Sequence, residues 1–254
     1  MSDDTSPTTT SAVMDTLLNR VSVRQYSEQP IADETWHAIL EAAFRAPTSS
    51  NIQSYSVIAV RDQATKKTLA ELVGGQRHVE TCPLFLAFCA DLTRIEAAMN
   101  ERGHSLDNNN LEAGLVSSID AALVGMAAYL AAESVGIHGV MIGGARNQPE
   151  KVAEVLGLPH RVYCVFGMCL GYPAEAPVQK PRMNFEAMVH LERYDADNMQ
   201  AHVADYDAAL GDHYRSQGRP TNEASWSHDV ATKFAARPRD TLRDTLKSMG
   251  FDFV

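Results

Sequence analysis

Apolar and polar positions along the chain divide it into short amphipathic helices, a few apolar strands and polar margins. Residues 1–10 are rich in Ser and Thr, carry no apolar period and predict a disordered tail. Val13, Leu17 and Leu18 start a short helix that ends near Arg20. Asp33 can cap a second helix, in which Trp36, Ile39, Leu40 and Ala43 recur at helical spacing, and Pro47 should stop it. Positions 54–60 (SYSVIAV), 84–90 (LFLAFCA), 140–142 and 162–170 (VYCVFGMCL) are β-rich and apolar, and predict strands. Positions 65–73 are helical in pattern and end at Gly74 and Gly75. A charged helix follows the second strand and leads into a polar loop over 103–110.

The longest apolar stretch, over about 111–134, is apolar on nearly every face. Such a helix lies at the centre of a core or in a subunit interface. Asp120 and Glu133 interrupt it, so it reads as a buried helix and not a membrane span. After Arg182 the pattern turns polar, with helices over 196–215, 226–236 and 239–249. Strands do not alternate one for one with helices, which disfavours a doubly wound sheet and predicts an α+β fold. The expected organisation is a tail over 1–10, a core over 11–190 and a helical extension over 191–254 packed on that core.

Composition narrows the partners. The 254 residues carry a net charge of −10, with 45% hydrophobic and 21% charged residues. That acidic balance argues against nucleic acid and against an anionic membrane surface. The acidic, polar N-terminus lacks the pattern of a secretory signal, and a cytoplasmic protein is expected. Cys82, Cys89, Cys164 and Cys169 form no C-x-x-C pair and predict reduced core thiols. The nine histidines show no metal-ligand spacing, and no G-x-S-x-G elbow or phosphate-loop motif occurs.

Four short constellations could carry chemistry. Arg20, Ser22 and Arg24 point one way if their segment is extended, and two guanidiniums with a hydroxyl suit a phosphate; the alternative is a solvated arginine pair with a capping serine. Residues 46–53 (APTSSNIQ) offer many donors for the polar edge of a ligand, or form an ordinary Ser/Asn-rich turn. Gly143 and Gly144, between a strand and Arg146, let backbone amides approach a flat ligand, or simply make a tight turn. Lys180 and Arg182 flank Pro181 and can converge on one anion, or form a basic loop.

The order of these motifs decides more than any one of them. R-x-S-x-R at 20–24, A-P-T-S-S-N-x-Q at 46–53, G-G-Q at 74–76, I-G-G-x-R at 142–146 and K-P-R at 180–182 together resemble the FMN-dependent nitroreductase family. The closer likeness is to its branch of oxygen-insensitive NADPH nitroreductases and flavin reductases. The resemblance implies a central, mostly antiparallel sheet flanked by helices, a C-terminal helical extension and an intertwined homodimer with FMN at two interface sites. It implies that Arg20, Ser22, Lys180 and Arg182 hold the phosphate and ribityl chain. Arg24 would lie where negative charge collects on the reduced ring. Thr48, Ser50 and Asn51 would reach the ring from the partner subunit. Gln76 would bond the ribityl or ring edge, Gly143 and Gly144 would present amides to the ring, and Arg146 would support that turn. No side chain is expected to act as an acid or base, because the flavin carries the reaction. Hydride would come from NADPH or NADH, and two electrons would pass in ping-pong order to small-molecule acceptors: nitroaromatics, quinones or flavins.

Alternatives are supply of reduced flavin to a partner oxygenase, or flavin binding without turnover. Two arginines that meet the 2′-phosphate of NADPH in that branch align with Gln217 and Asn222, followed by Glu223. Arg215 and Arg219 are the local substitutes, and Arg237 matches a position near the acceptor pocket.

Overall fold

A computed structural model describes residues 11–106, 110–175, 177–219, 225–236 and 239–253. The chain falls into two compact units, Met1–Pro177 with Thr241–Val254, and Val178–Asp240. The proposed tail over 1–10 lies outside the described residues.

The first unit runs α1 (Ala12–Asn19), α2 (Asp33–Ala43), β1 (Tyr55–Val60), α3 (Gln63–Leu72), α4 (Arg77–Thr81), β2 (Leu84–Asp91), α5 (Thr93–Glu101), α6 (Leu111–Glu133), β3 (His138–Ile142), α7 (Pro149–Leu156) and β4 (Val162–Gly171). The four strands form one sheet in the order β1-β2-β4-β3, antiparallel at every pairing. With helices on both faces this is the α+β architecture that the pattern predicts.

Strand β2 is buried along its whole length because both of its faces are covered. Its residues alternate between two cores, as the two-residue period of a strand requires. Phe85, Ala87 and Cys89 pack with Leu69, Val79 and Val152 of α3, α4 and α7. Leu84, Leu86 and Phe88 pack with Ile39 and Leu40 of α2 and Val124 and Ala128 of α6. All four cysteines are free and buried within this framework.

Two local expectations need correction. Asp33 is the first residue of α2 and not its cap; Ala32 holds the cap position, and Asp33 instead accepts a hydrogen bond from the Trp36 indole at 3.2 Å. That helix ends at Ala43, with the Phe44 amide closing on Leu40, short of Pro47 as expected. Helix α6 is not enclosed on all sides. Its Ser117, Asp120, Ala121, Val124, Ala128 and Ala132 are buried, while Leu111, Leu115, Ile119 and Leu123 are 44, 45, 55 and 40% exposed.

The second unit contains α8 (Phe185–Met188), α9 (Met199–Ser216) and α10 (Ser225–Ala235). Asp207 of α9 accepts hydrogen bonds from the Trp226 and Ser227 amides, each at 2.9 Å, and so ties the start of α10 to α9. The chain then returns to the first unit through α11 (Leu242–Ser248), where Leu246, Met249 and Phe251 pack against Tyr163.

Candidate functional site

The segment after α1 is extended, with Arg20 at φ −62° and ψ 140°, so Arg20, Ser22 and Arg24 fall on one side of it. They line a cavity of about 330 Å³, closed by Met126 and Tyr129 of α6 and Val140 and Met141 of β3. The Arg20 guanidinium donates to the Ser22 hydroxyl at 3.2 Å and lies 5.3 Å from the centre of the Tyr129 ring. The Tyr129 hydroxyl donates to the Val21 and Gly139 carbonyls at 2.8 and 3.1 Å. The Val23 amide also donates to Gly139, at 3.0 Å. One residue of α6 thus fixes the cation-bearing segment against β3. Burial pushes the Tyr129 phenol up to about 12, which keeps it a neutral donor near pH 7. Tyr129 had no sequence signal of its own; it looks like any aromatic in an apolar helix.

At the end of β3 the turn Gly143–Arg146 packs against the loop before α4. A Cβ on Gly144 would sit 2.3 Å from the Val73 carbonyl oxygen and 2.8 Å from Gln76 Nε2. No side chain fits there, so Gly144 allows the two segments to touch. Gln76 caps α4 and donates to the Val73 carbonyl at 2.8 Å. A Cβ on Gly143 would meet only the Arg146 guanidinium, at 3.5 Å. Arg146 in turn donates to the Val165 carbonyl and anchors the turn to β4. Next to this turn, His78 of α4 is held below the usual histidine range, first by burial and then by the Arg24 charge. Gln76, Gly143, Gly144 and Arg146 are therefore brought together, and Arg24 acts on the same α4 segment.

Thr48, Ser50 and Asn51 lie elsewhere in the chain. Asp120, to which their loop is bonded, is nine residues before Tyr129, about 13 Å along α6. Ser50, Asn51 and Gln53 all have left-handed backbone, with φ of 47°, 57° and 57°. That conformation costs a residue with a Cβ roughly 1–2 kcal/mol, so the loop needs external support. Asp120 provides it from inside the core: one carboxylate oxygen accepts the Ser49 amide at 3.0 Å, the other the Ser54 amide and hydroxyl at 3.1 and 2.8 Å. From the other side the Arg94 guanidinium donates to the Gln53 carbonyl at 3.1 Å and to the Tyr55 carbonyl. Strain held in place this way is characteristic of ligand-binding loops. A lone carboxylate in an apolar helix must find donors, and that is the sequence signal Asp120 carries for this contact.

Lys180 and Arg182 belong to the second unit. Lys180 donates to the Tyr214 hydroxyl at 2.9 Å, and Arg182 to the Pro181 carbonyl at 3.1 Å. Arg215 pairs with Asp212 one turn back on α9, both well exposed. Arg219 is exposed past the end of that helix, and Gln217 bonds the His213 ring at 2.8 Å. Arg237, Asn222 and Glu223 lie outside the described residues. No group of three metal-ligating side chains occurs among the described residues.

These features coincide with a family match over nearly the whole chain. Residues 17–172 match the model of the nitroreductase family, and residues 180–254 match its C-terminal domain. An FMN reductase (NADPH) of Bacillus subtilis is 36% identical over 243 residues, which cover 94% of this chain and 98% of that protein. An oxygen-insensitive NADPH nitroreductase of Salmonella typhimurium is 34% identical over 95% of this chain and 98% of its own length. The solved NADPH:FMN oxidoreductase of Vibrio harveyi, complexed with NAD+, superimposes with a TM-score of 0.86 at 32% identity, covering 94% of this chain and 98% of that one. The chain belongs to the nitroreductase family.

Proposed function

We propose that this protein is an FMN-dependent NAD(P)H oxidoreductase that reduces small aromatic acceptors (nitro compounds, quinones or flavins) as a cytoplasmic homodimer. The carrying observation is the cavity lined by Arg20, Ser22 and Arg24 against β3, the strand that leads into the Gly143–Gly144 turn, in a chain whose relatives are named flavin reductases and nitroreductases. The donor set fits the group. A permanent cation and a hydroxyl suit a phosphate, the second arginine suits an electron-rich ring edge, and the small turn gives a flat ring access to backbone.

When bound, FMN would supply the two-electron chemistry that links a nicotinamide donor to the acceptor. Arg20 and Ser22 would hold its phosphate. Tyr129 orients Arg20 through its ring and fixes the strand through its hydroxyl. Arg24 sets a permanent positive charge where the ring gains electron density. Gly143 and Gly144 offer backbone amides to the ring, on a turn braced by Gln76 and Arg146.

One chain does not bring Thr48, Ser50 and Asn51 to this cavity, which supports a site completed by Thr48 of the partner subunit, Ser50 of the partner subunit and Asn51 of the partner subunit. The exposed Leu111, Leu115, Ile119 and Leu123 on α6 supply an apolar face for that second copy. Arg215 and Arg219 are the candidate contacts for a nicotinamide phosphate, with Arg237 near the acceptor.

The test is an anaerobic spectrum of the purified protein, titrated separately with NADH and NADPH. A yellow protein bleached by either donor and re-oxidised by a nitroaromatic or quinone supports the proposal. A protein that stays colourless after FMN is added, or yellow after donor, overturns it. Strong FMN reduction with negligible nitro reduction would assign it to flavin supply.

A further inference from the structure

Beside the strained loop lies a second, unassigned concavity of about 420 Å³, between that loop and α5. Its floor is hydrocarbon: Ile52 from the loop, and Ile95, Ala98 and Met99 from α5. Its cations differ in what they are free to do. Arg94 is committed, donating to the Gln53 and Tyr55 carbonyls, to Ser56 at 3.2 Å and to Asp91 at 3.3 Å. Arg102 and His104 are not: neither has a carboxylate partner among the described residues, and both are exposed at the groove.

Backbone geometry places this pair at the rim. Helix α5 ends at Glu101, Gly103 takes φ +75°, and the Arg102 and His104 amides both fold back onto the Met99 carbonyl at 3.0 Å. The chain therefore wraps its own helix end, and the Arg102 and His104 side chains line the concavity with Met99. Arg102 also suits the negative end of a helix, but that role does not account for an adjoining apolar floor of ligand size. In a chain of net charge −10, an apolar groove rimmed by the Arg102 guanidinium and the His104 imidazole complements an aromatic ring that carries an anionic substituent.

We propose that this groove is an acceptor subsite that favours aromatic nitro or quinone substrates bearing a carboxylate or sulfonate. The ring lies on Ile52, Ile95 and Met99, and the anion meets Arg102 and His104. This inference rests on the oxidoreductase reading above. Ile52 connects the two, because it follows Ser50 and Asn51 in the loop assigned to the flavin ring. Arg102 and His104 act as specificity-determining residues, and neither takes part in electron transfer.

The test compares 4-nitrobenzoate with 4-nitrobenzamide, two acceptors of near-equal shape, at saturating donor. The wild-type kcat/KM ratio should favour the anion, and the preference should shrink as salt rises from 20 to 300 mM. In the Arg102→Ala/His104→Ala double variant the ratio should fall about fivefold, the size of an exposed ion-pair contribution. Arg102→Lys should restore most of it. The ratio is the readout, so a general loss of activity cannot imitate the effect. An unmoved ratio, or no wild-type preference, overturns the subsite and leaves the oxidoreductase reading intact. If instead the double variant weakens NADPH relative to NADH with the acceptor ratio unmoved, the anion held there is the donor's, and the acceptor assignment is wrong. If the wild type turns over neither acceptor although NAD(P)H bleaches it, this proposal falls with the nitro reading.

Discussion

Asp120 Oδ2 accepts two hydrogen bonds from Ser54, from its amide at 3.1 Å and its hydroxyl at 2.8 Å, at a point in α6 where both residues are buried. The other oxygen takes the Ser49 amide, so one side chain closes both ends of the left-handed loop. Asp120→Ala would take the acceptor from three donors, two of them on the buried Ser54 and one on the exposed Ser49. Each unsatisfied buried group costs about 1–3 kcal/mol, and partial relaxation should bring the total to roughly 3–5 kcal/mol. Urea unfolding should show that loss. Asp120→Asn keeps the shape but turns one acceptor into a donor facing donors, so it should cost less than Ala and still lower turnover. Wild-type activity in Asp120→Asn would remove the loop's conformation from the mechanism.

The part of the fold legible in sequence was the part governed by period. Strand β2 and helix α6 showed as long apolar runs, and their ends were predicted within a few residues. Two of the short helices were not legible. Arg77–Thr81 and Pro149–Leu156 are only five and eight residues long, and their apolar positions are too few to form a period. Within the site, residues that stand in motifs were nameable: Arg20, Ser22 and Arg24 do line one cavity. The residues that hold those motifs in place were not. Tyr129, Asp120 and Arg94 act across 108, 66 and 41 positions of sequence, through carbonyls and amides that leave no residue-type signature.

The two glycines of the β3 turn should separate structure from binding. A methyl on Gly144 would overlap the Val73 carbonyl, so Gly144→Ala should destabilise the fold by about 1–3 kcal/mol and lower the melting temperature. A methyl on Gly143 meets only the far end of Arg146 at an ordinary contact distance. Gly143→Ala should therefore melt near the wild-type temperature yet bind FMN more weakly, as measured by quenching of flavin fluorescence. Equal losses of stability in the two variants would contradict this division.

Tyr129→Phe isolates the hydroxyl from the ring. The ring under Arg20 remains, but the Val21 and Gly139 carbonyls lose a donor. The expected cost is about 1–2 kcal/mol in stability, with a severalfold loss of FMN affinity as the Arg20–Arg24 segment loosens. Tyr129→Leu removes both interactions and should weaken FMN further at similar stability. Calorimetry of FMN binding to the two variants checks the order.

His78 gives the fold a pH dependence with a definite sign. Its folded-state pKa lies below the unfolded value of about 6.5, so the unfolded chain binds the proton first. Its contribution to stability is constant above the unfolded value, and declines as pH falls from there towards the folded value. The melting temperature should drop between pH 7 and pH 5.5, with part of that slope due to His78. In His78→Gln the slope should flatten. An identical slope in the variant would mean that other groups carry it.

The exposed row on α6 supplies the last prediction. Leu111, Leu115, Ile119 and Leu123 are spaced by four, which places them along one side of the helix, and together they leave a continuous apolar ridge on the single chain. A ridge of this kind marks a surface that another protein covers. If a second copy covers it, a carboxylate at its centre must be buried unpaired in the dimer but stays solvated in the monomer, so Ile119→Glu acts on association and spares the fold. Light scattering should show a dimer for the wild type and a monomer for Ile119→Glu, with the far-ultraviolet circular dichroism of each alike. Lys151→Glu, at an exposed position on α7, should remain dimeric. The monomer should also lose FMN, because it lacks Thr48 of the partner subunit, Ser50 of the partner subunit and Asn51 of the partner subunit. A monomeric Ile119→Glu that retains FMN at wild-type affinity would show that each chain builds its site alone.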